Sequence, residues 1–367
     1  MKSGLTNCQR VVCLLCMGWA LTTGVKGATV DDDEHIIFFP SYASRDADGT
    51  VWKVHIHGWI FQPEADSLKR AAALSLVRRS LGIEKGTAEQ QRLYEILRAF
   101  LVDNKRGKQL SIRLGNEIYP LGMSQPNGHI EATFSVPEEK VKQWITEPEK
   151  QAGWVAFSVV LPEGDQRMFN GKVQFIEPQG ISVISDIDDT IKISEVLDKK
   201  ALLKNTFLHE YRAAPGMAAG YGQWVKQNWA FHYVSGSPWQ LYEPLNAFRH
   251  AASLPEGTWQ LRHFRLKDSS LLEMFDTPEN YKLTAIEPLL KAFPQRRIIL
   301  VGDSGERDPE VYGTLARQYP KQISHIFIRQ VTPDDRSSAR YQTAFADLPD
   351  SRWSLFTDGQ DLSRFLP

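Results

Sequence analysis

Between residues 28 and 178 the chain is organised around a period of two. Apolar and polar positions alternate over residues 51–60, 109–114 and 153–161, the pattern of strands with one buried face. Two stretches break that rhythm. Residues 68–81 are apolar at helical spacing, and residues 87–104 open on Thr87-x-x-Gln90, a capping box. This half is expected to be an antiparallel β-rich domain with a helical hairpin inserted. At Glu177-Pro178-Gln179-Gly180 the pattern changes. Short apolar runs at residues 181–185, 230–234, 297–301 and 323–328 alternate with helical stretches, which predicts an α/β fold with a doubly wound parallel sheet over residues 179–332. Ligands of such sheets sit at the carboxyl ends of the strands. Residues 333–367 read as a helix and a tail bearing Trp353 and Phe356 that packs back on the α/β unit.

The first 27 residues follow neither pattern. Lys2 and Arg10 precede an apolar run over residues 11–25, with no acid before Asp31. A basic start, a short apolar run and small residues at Val25 and Gly27 predict a cleaved signal peptide, residues 1–27, and a periplasmic or secreted protein. The run is short for a membrane span. All three cysteines, Cys8, Cys13 and Cys16, lie within it, so the mature chain would carry no disulfide and no cysteine nucleophile or ligand. Losing Lys2, Arg10 and Lys26 leaves 40 basic against 44 acidic residues, a net charge of -4. Nothing in that balance points to nucleic acid.

Four segments carry candidate chemistry, three of them at strand ends. The run Asp186-Ile187-Asp188-Asp189-Thr190 follows the first buried strand. Carboxylates two apart at that position can converge on a cation, one attacking phosphorus while the other moves a proton. A bound Mg²⁺ would relieve their repulsion. A plain polar turn would use the same residues. Ser235 ends the second strand. Ser237-Pro238-x-Gln240 reads as a capping box opening a helix, so Ser237 is assigned mainly to the cap and Ser235 to phosphate. Lys282 opens a later helix and could neutralise a phosphoryl group, although most lysines are simply solvated. Asp303 follows the third strand directly. Asp308, before Pro309, reads as an N-cap that could also serve a cation.

In this order the four segments resemble the haloacid dehalogenase superfamily of phosphohydrolases. The resemblance implies that Asp186 becomes phosphorylated and that Asp188 is general acid and base, with its carbonyl on Mg²⁺. It further implies that Ser235, with Thr190 and Gly236, holds phosphate, that Lys282 neutralises charge, and that Asp303 and Asp308 complete the cation site with Asp186. The longer motifs Ser185-Asp186-Ile187-Asp188-Asp189-Thr190-Ile191-Lys192, Tyr233-Val234-Ser235-Gly236-Ser237-Pro238-Trp239 and Val301-Gly302-Asp303-Ser304-Gly305-Glu306-Arg307-Asp308-Pro309-Glu310 look like the catalytic domain of the actin-patch-associated phosphatidate phosphatase family, over about residues 177–332. Gly236 stands where that family usually has Ala. The resemblance implies Mg²⁺-dependent hydrolysis of phosphatidate to diacylglycerol and phosphate. The rival readings are a phosphomonoesterase for a soluble ester or phosphoprotein, and a non-catalytic lipid- or protein-binding module.

Asp188 to Ser235 and Ser235 to Lys282 are each 47 residues, too short for a large cap domain, so an open site suited to a bulky phospholipid is expected. Arg265 and Lys267, alternating with Phe264 and Leu266, would give a strand one basic face for an anionic head group, or only a solvated edge. Basic residues on the helix at 68–81 would suit a membrane surface, but packing within its own domain is the preferred reading. Gly302-Asp303-Ser304-Gly305 resembles the nucleophile loop of chymotrypsin-like proteases, but the next residue is Glu306 rather than Gly and the strand-then-helix setting argues against that fold. His55 and His57 share a strand face and read as ordinary histidines, because the sequence offers no further ligands for a metal.

Overall fold

The computed structural model describes residues 28–63, 68–145, 153–264, 273–275 and 280–365. The expected signal segment with its three cysteines, and the basic positions Arg265 and Lys267, lie outside the described residues.

The N-terminal half forms a nine-stranded sheet among the described residues: β1 (His35–Phe39), β2 (Ser41–Arg45), β3 (Val51–Gln62), β4 (Asp103–Asn104), β5 (Gln109–Leu114), β6 (Glu117–Met123), β7 (His129–Pro137), β8 (Trp154–Val159) and β9 (Asn170–Ile176). It is not wholly antiparallel, as the alternation suggested: β2 and β9 pair in parallel, Ser41 opposite Val173. Strand order depends on long-range pairing, which alternation along one strand does not report. The long β3 binds β1, β2 and β7 and carries most of this sheet.

Both expected helices are present, at Leu68–Ser80 and Ala88–Arg98. Thr87 caps the second, its Oγ1 accepting from Gln90 N at 3.2 Å, while Gln90 reaches back to Gly86 N rather than to Thr87. Leu74 on the first and Leu93, Ile96 and Leu97 on the second are buried in a core shared with the C-terminal half. That core accounts for both helices. No described helix is long and apolar enough to cross a membrane.

The C-terminal half is an α/β unit. Its parallel strands are β10 (Ile181–Ser185), β11 (Ala230–Pro238), β12 (Thr258–Arg262), β13 (Arg297–Asp303), β14 (Ile323–Arg329) and β15 (Trp353–Phe356), ordered β12-β11-β10-β13-β14-β15. The chain starts in the middle, adds two strands to one side, then crosses to add three on the other. The crevice outside β10, where the order reverses, is where such sheets place ligands. All five residues of β10 are buried, its serines included: Ser182 Oγ accepts from Arg296 Nε and Ser185 Oγ is bonded to Tyr221. The tail with Trp353 and Phe356 does more than pack back: it is β15, paired in parallel with β14 through Ile326–Trp353 and Arg329–Phe356.

The halves are joined tightly. Phe39, Trp59 and Phe61 share one core with Tyr233, Trp239 and Trp259, and Tyr42 and Ile176 share another with Ile184 and Leu300. Arg296 binds the connection directly, its Nη1 donating to the carbonyls of Glu177 (2.7 Å) and Gln179 (2.6 Å) and its Nε to Ser182 Oγ (2.8 Å). With Ile181 O as a further acceptor, a buried guanidinium meeting four fixed acceptors leaves that crossing little freedom.

Candidate phosphoryl-transfer site

Asp186 follows the last residue of β10, and its backbone N–H donates to Val301 O across the sheet at 2.9 Å. Its side chain is 1% exposed and faces Asp303 at the end of β13. Oxygens of Asp186, Asp303 and Glu306 lie within 4.8 Å of one another, close enough to share one cation. Glu306 had no role in the sequence reading. It sits between two expected residues, and only the fold of the loop after β13 turns it toward Asp186.

Lys282 Nζ lies 2.8 Å from Asp186 Oδ1 and 2.8 Å from Glu306 Oε2, and also donates to Asp308 Oδ1. It is 6% exposed, so this lysine is not a solvated one. Burial opposes its charge, but the surrounding acids outweigh burial and hold it well above the ordinary lysine value. One ammonium cannot balance four carboxylates. Burial, then the neighbouring acids, push Asp186 and Asp303 well above the ordinary aspartate range, against the pull of Lys282. Asp186 Oδ2 and Asp303 Oδ1 are buried without a hydrogen-bond partner. Buried acid oxygens lacking partners, with a donor set made wholly of oxygen, fit a hard divalent cation such as Mg²⁺. Asp186, Asp303 and Glu306 are the side chains that would hold it.

Asp308 serves the loop. Its Oδ2 accepts from Asp303 N at 3.1 Å and its Oδ1 from Lys282, and it is the first residue of the helix Asp308–Gln318 rather than its cap. Gly302 makes room for it: a Cβ there would lie 2.1 Å from Asp308 Oδ2. Asp303 Oδ2 in turn accepts from the N–H groups of Gly305 (2.5 Å) and Glu306 (3.2 Å), which shapes the loop around its own acid. Arg340, on the helix Ala339–Ala344, donates to the carbonyls of Ser304 and Glu306 and pairs with Glu310 at 2.8 Å. The C-terminal segment therefore holds this loop from outside.

Asp188 is separated from these acids in chemistry. Its Oδ1 meets Lys192 Nζ at 2.8 Å and accepts from Ser194 Oγ at 2.7 Å. Its Oδ2 accepts from Ser235 Oγ at 3.1 Å and from Ser237 Oγ at 3.0 Å. Burial pushes the carboxyl up, but Lys192 and the hydroxyl donors outweigh it and bring it down to about 2. The expected capping box at Ser237 is absent, since the following 3₁₀ turn Trp239–Leu241 has no side-chain cap. Ser237 extends β11 instead and turns its hydroxyl to Asp188, an acceptor that becomes its neighbour only in the folded sheet.

Two further residues of the first motif have structural positions. Thr190 is fully buried, and its Oγ1 has no hydrogen-bond partner. Asp189 holds a left-handed backbone (φ 53°), and its carboxylate accepts from the N–H groups of Ser194 (2.8 Å), Glu195 (2.9 Å) and Val196 (2.7 Å). Left-handed backbone costs a non-glycine residue about 1–2 kcal/mol. Three charge-assisted hydrogen bonds offset that and hold the loop carrying Ser194 against Asp188. Gly236 is half-buried, its carbonyl accepting from Arg262 Nε at 3.1 Å.

The spacing suggested an open site, and most of the excursion after β12 that would line its mouth lies outside the described residues. Met274 and Phe275, with Pro238 and Leu202, line a cavity of about 20 Å³ beside Asp188 and Glu306. Arg262 also donates to Met274 O, tying this short segment to the Gly236 loop.

Comparison with known proteins agrees with this geometry. Residues 181–330 match the family model of the phosphatidate phosphatase APP1 catalytic domain. Phosphatidate phosphatase APP1 of Saccharomyces cerevisiae is 37% identical over 161 residues, 42% of this chain and 27% of that protein. An uncharacterized protein of Schizosaccharomyces pombe is 30% identical over 181 residues, 48% of this chain and 29% of that protein. The chain thus spans between a quarter and a third of the length of these curated relatives. A solved structure described as a beta-phosphoglucomutase from Thermotoga maritima overlaps at a TM-score of 0.30 and 10% identity, covering 50% of this chain and 97% of that one, a score too low to carry an argument. The matched segment contains every residue of the carboxylate cluster, and residues 181–330 of this chain belong to the family of the phosphatidate phosphatase APP1 catalytic domain.

Proposed function

We propose that this protein is a Mg²⁺-dependent phosphatidate phosphatase that releases phosphate through an aspartyl-phosphate on Asp186. The observation that carries the reading is the convergence of Asp186, Asp303 and Glu306 within 4.8 Å, with Lys282 on Asp186, inside a segment matching that catalytic domain. We read the α/β unit as a doubly wound sheet of haloacid-dehalogenase type. The domain division at residues 28–178, 179–332 and 333–367, the signal peptide over residues 1–27, a periplasmic or secreted location and contact with a membrane surface belong to the same proposal.

Each side chain has a role in this reading. The cation, when bound, supplies positive charge that keeps Asp186 ionised and polarises the phosphoryl group. Asp186 Oδ attacks phosphorus in line and the ester oxygen leaves. Lys282 offsets the charge gathering on the transferred oxygens. Ser235 donates to a phosphoryl oxygen, for which it must release Asp188. That release removes a donor holding Asp188 low, so its carboxyl rises toward the range where it can pass a proton to the leaving alkoxide. As a carboxylate it then takes a proton from the water that cleaves the aspartyl-phosphate.

Phosphate release from phosphatidate in mixed micelles, set beside soluble monoesters and a phosphopeptide, with and without Mg²⁺, tests the proposal. Mg²⁺-dependent release that favours phosphatidate is expected. Faster release from the soluble esters would move the substrate to the rival class. Release unaffected by chelation, or unchanged in Asp186→Asn, would overturn the mechanism.

A further inference from the structure

His57 has partners that its sequence neighbourhood does not reveal. Glu131 lies opposite it on β7, and His129 is two residues before Glu131 on the same face. His263, just past the end of β12, approaches from the other sheet. His57 Nε2 lies 2.9 Å from His129 Nδ1 and 3.7 Å from Glu131 Oε1, and His263 Nε2 lies 3.5 Å from Glu131 Oε1. Each of the three imidazoles offers a nitrogen within 4.8 Å of the others. In tetrahedral zinc with bonds of about 2.05 Å, ligand atoms are separated by about 3.3 Å. The cluster already spans that spacing.

Its rings are held in place. His57 packs edge-on to Trp239 with centroids at 4.5 Å, and His129 stacks on Trp59 at 5.7 Å with planes 10° apart. Burial holds His57 well below the ordinary histidine value and takes His129 down to about 3, so both rings present lone pairs at neutral pH. His263 and Glu131 are each about half exposed and border a cleft of about 520 Å³, which gives an ion a way in. Asn127 Nδ2, 3.5 Å from His263 Nδ1, is at the outer limit of a hydrogen bond and leaves that ring free to turn. His55 lines the same cleft but pairs with Thr133 Oγ1 at 3.0 Å and packs on Tyr42, outside the cluster.

We propose that His57, His129 and His263, with Glu131 at the rim, bind a zinc-class divalent ion that fastens the N-terminal sheet to the catalytic sheet. Two ligands come from β3 and β7 and one from the end of β12, so occupancy crosslinks the halves. Imidazole nitrogen selects Zn²⁺ or Co²⁺ over Mg²⁺, which takes oxygen, so this site and the carboxylate site do not compete for the same ion. On binding, the proton shared between His57 and His129 moves to the nitrogen of its own ring that faces away from the ion, so both rings ligate as neutral tautomers. Trp239, two residues after Ser237, packs against His57, so the ion would also steady the loop that touches Asp188.

Co²⁺ is the probe. The full chain, stripped by chelation and held in excess Mg²⁺, is titrated with Co²⁺ while visible ligand-field bands and the thermal midpoint are recorded. One Co²⁺ per chain, with the intense bands of four-coordinate geometry, displacement by Zn²⁺ and a raised midpoint, is the expected result. His263→Gln, at a half-exposed position that folding tolerates, should weaken binding about 100-fold or more, and Glu131→Gln about tenfold. His55→Gln and Asp303→Asn should leave the bands unchanged. Stoichiometric binding that survives His263→Gln, equal loss in His55→Gln, or no four-coordinate bands in the wild-type chain would overturn the proposal.

Discussion

Two polar clusters lie near the strand ends on the catalytic side of the molecule, and they are built from different materials. The carboxylate cluster gathers buried Asp186, Asp303 and Lys282 with half-buried Glu306, and some of its acid oxygens lack partners. The imidazole cluster gathers His57, His129 and His263 at the seam between the sheets, with aromatic rings packed around it. The first keeps charge together at a cost that a cation or substrate relieves. The second keeps neutral donors together at little cost, because an imidazole without its proton is compatible with burial. Strain of the first kind is suited to chemistry, and the rest state of the second is suited to holding two surfaces in register. A charged cluster is reported by the sequence, since acids directly after buried apolar strands are conspicuous. The neutral cluster is assembled from three distant positions and gives no such sign.

Substitutions can break or sharpen that contrast. The largest effect is expected of Asp186→Asn, which should lower phosphate release by roughly 10⁴-fold or more while the Co²⁺ spectrum of the imidazole site stays unchanged. Steady-state turnover and the visible spectrum on one preparation check both halves. Gly302→Ala should come next. A Cβ at 2.1 Å from Asp308 Oδ2 has no room, because Asp303 N and Lys282 fix that carboxylate. A loss of about 2–3 kcal/mol in urea unfolding is expected, with loss of phosphate release. Arg340→Ala withdraws three contacts from the same loop from outside, and should lower kcat/KM roughly tenfold with no change in Co²⁺ binding.

The smallest effect falls on Asp188. Its carboxyl, at about 2, is ionised through the working range, and Ser194 Oγ is one of the donors that hold it there. Ser194→Ala should raise it, so the acid limb of kcat/KM should move up by about half to one pH unit. The sign for stability is the same. A depressed aspartate contributes stability that is present above its unfolded value of 3.8 and is lost as pH falls through about 2, and the variant should lose it at higher pH. Rate–pH profiles and acid unfolding read the two shifts separately. An acid limb that does not move would place the essential base elsewhere than Asp188.

Local pattern was enough for much of the fold. Residues 181–185 became β10 with both ends as expected, because a short stretch of β-branched residues and small serines, bounded by Gly180 and Asp186, suits a strand buried on both faces. Thr87 became a cap for the equally local reason that Gln90 is three residues away. Ser237 shows where this fails: the sequence read a cap from a residue three positions on, while the actual partner, Asp188, is 49 residues back. Glu306 was missed for a related reason. Between Ser304 and Arg307 nothing in residue type distinguishes a cation ligand from a solvated acid, and only the turn closed by Asp303 Oδ2 aims it inward.

By itself, then, the order of residues determined which segments must be strands, which acids follow them, and that an oxygen-rich site with one lysine would form at one sheet edge. These follow from side-chain polarity and period, which each segment carries within itself. The tertiary structure alone decided the parallel pairing of β2 with β9, the use of Trp353–Phe356 as a sixth strand, and the meeting of three histidines from 57, 129 and 263. Each of those is a choice among many surfaces of similar apolarity, and it is settled by which pairing buries the most surface while satisfying every backbone group.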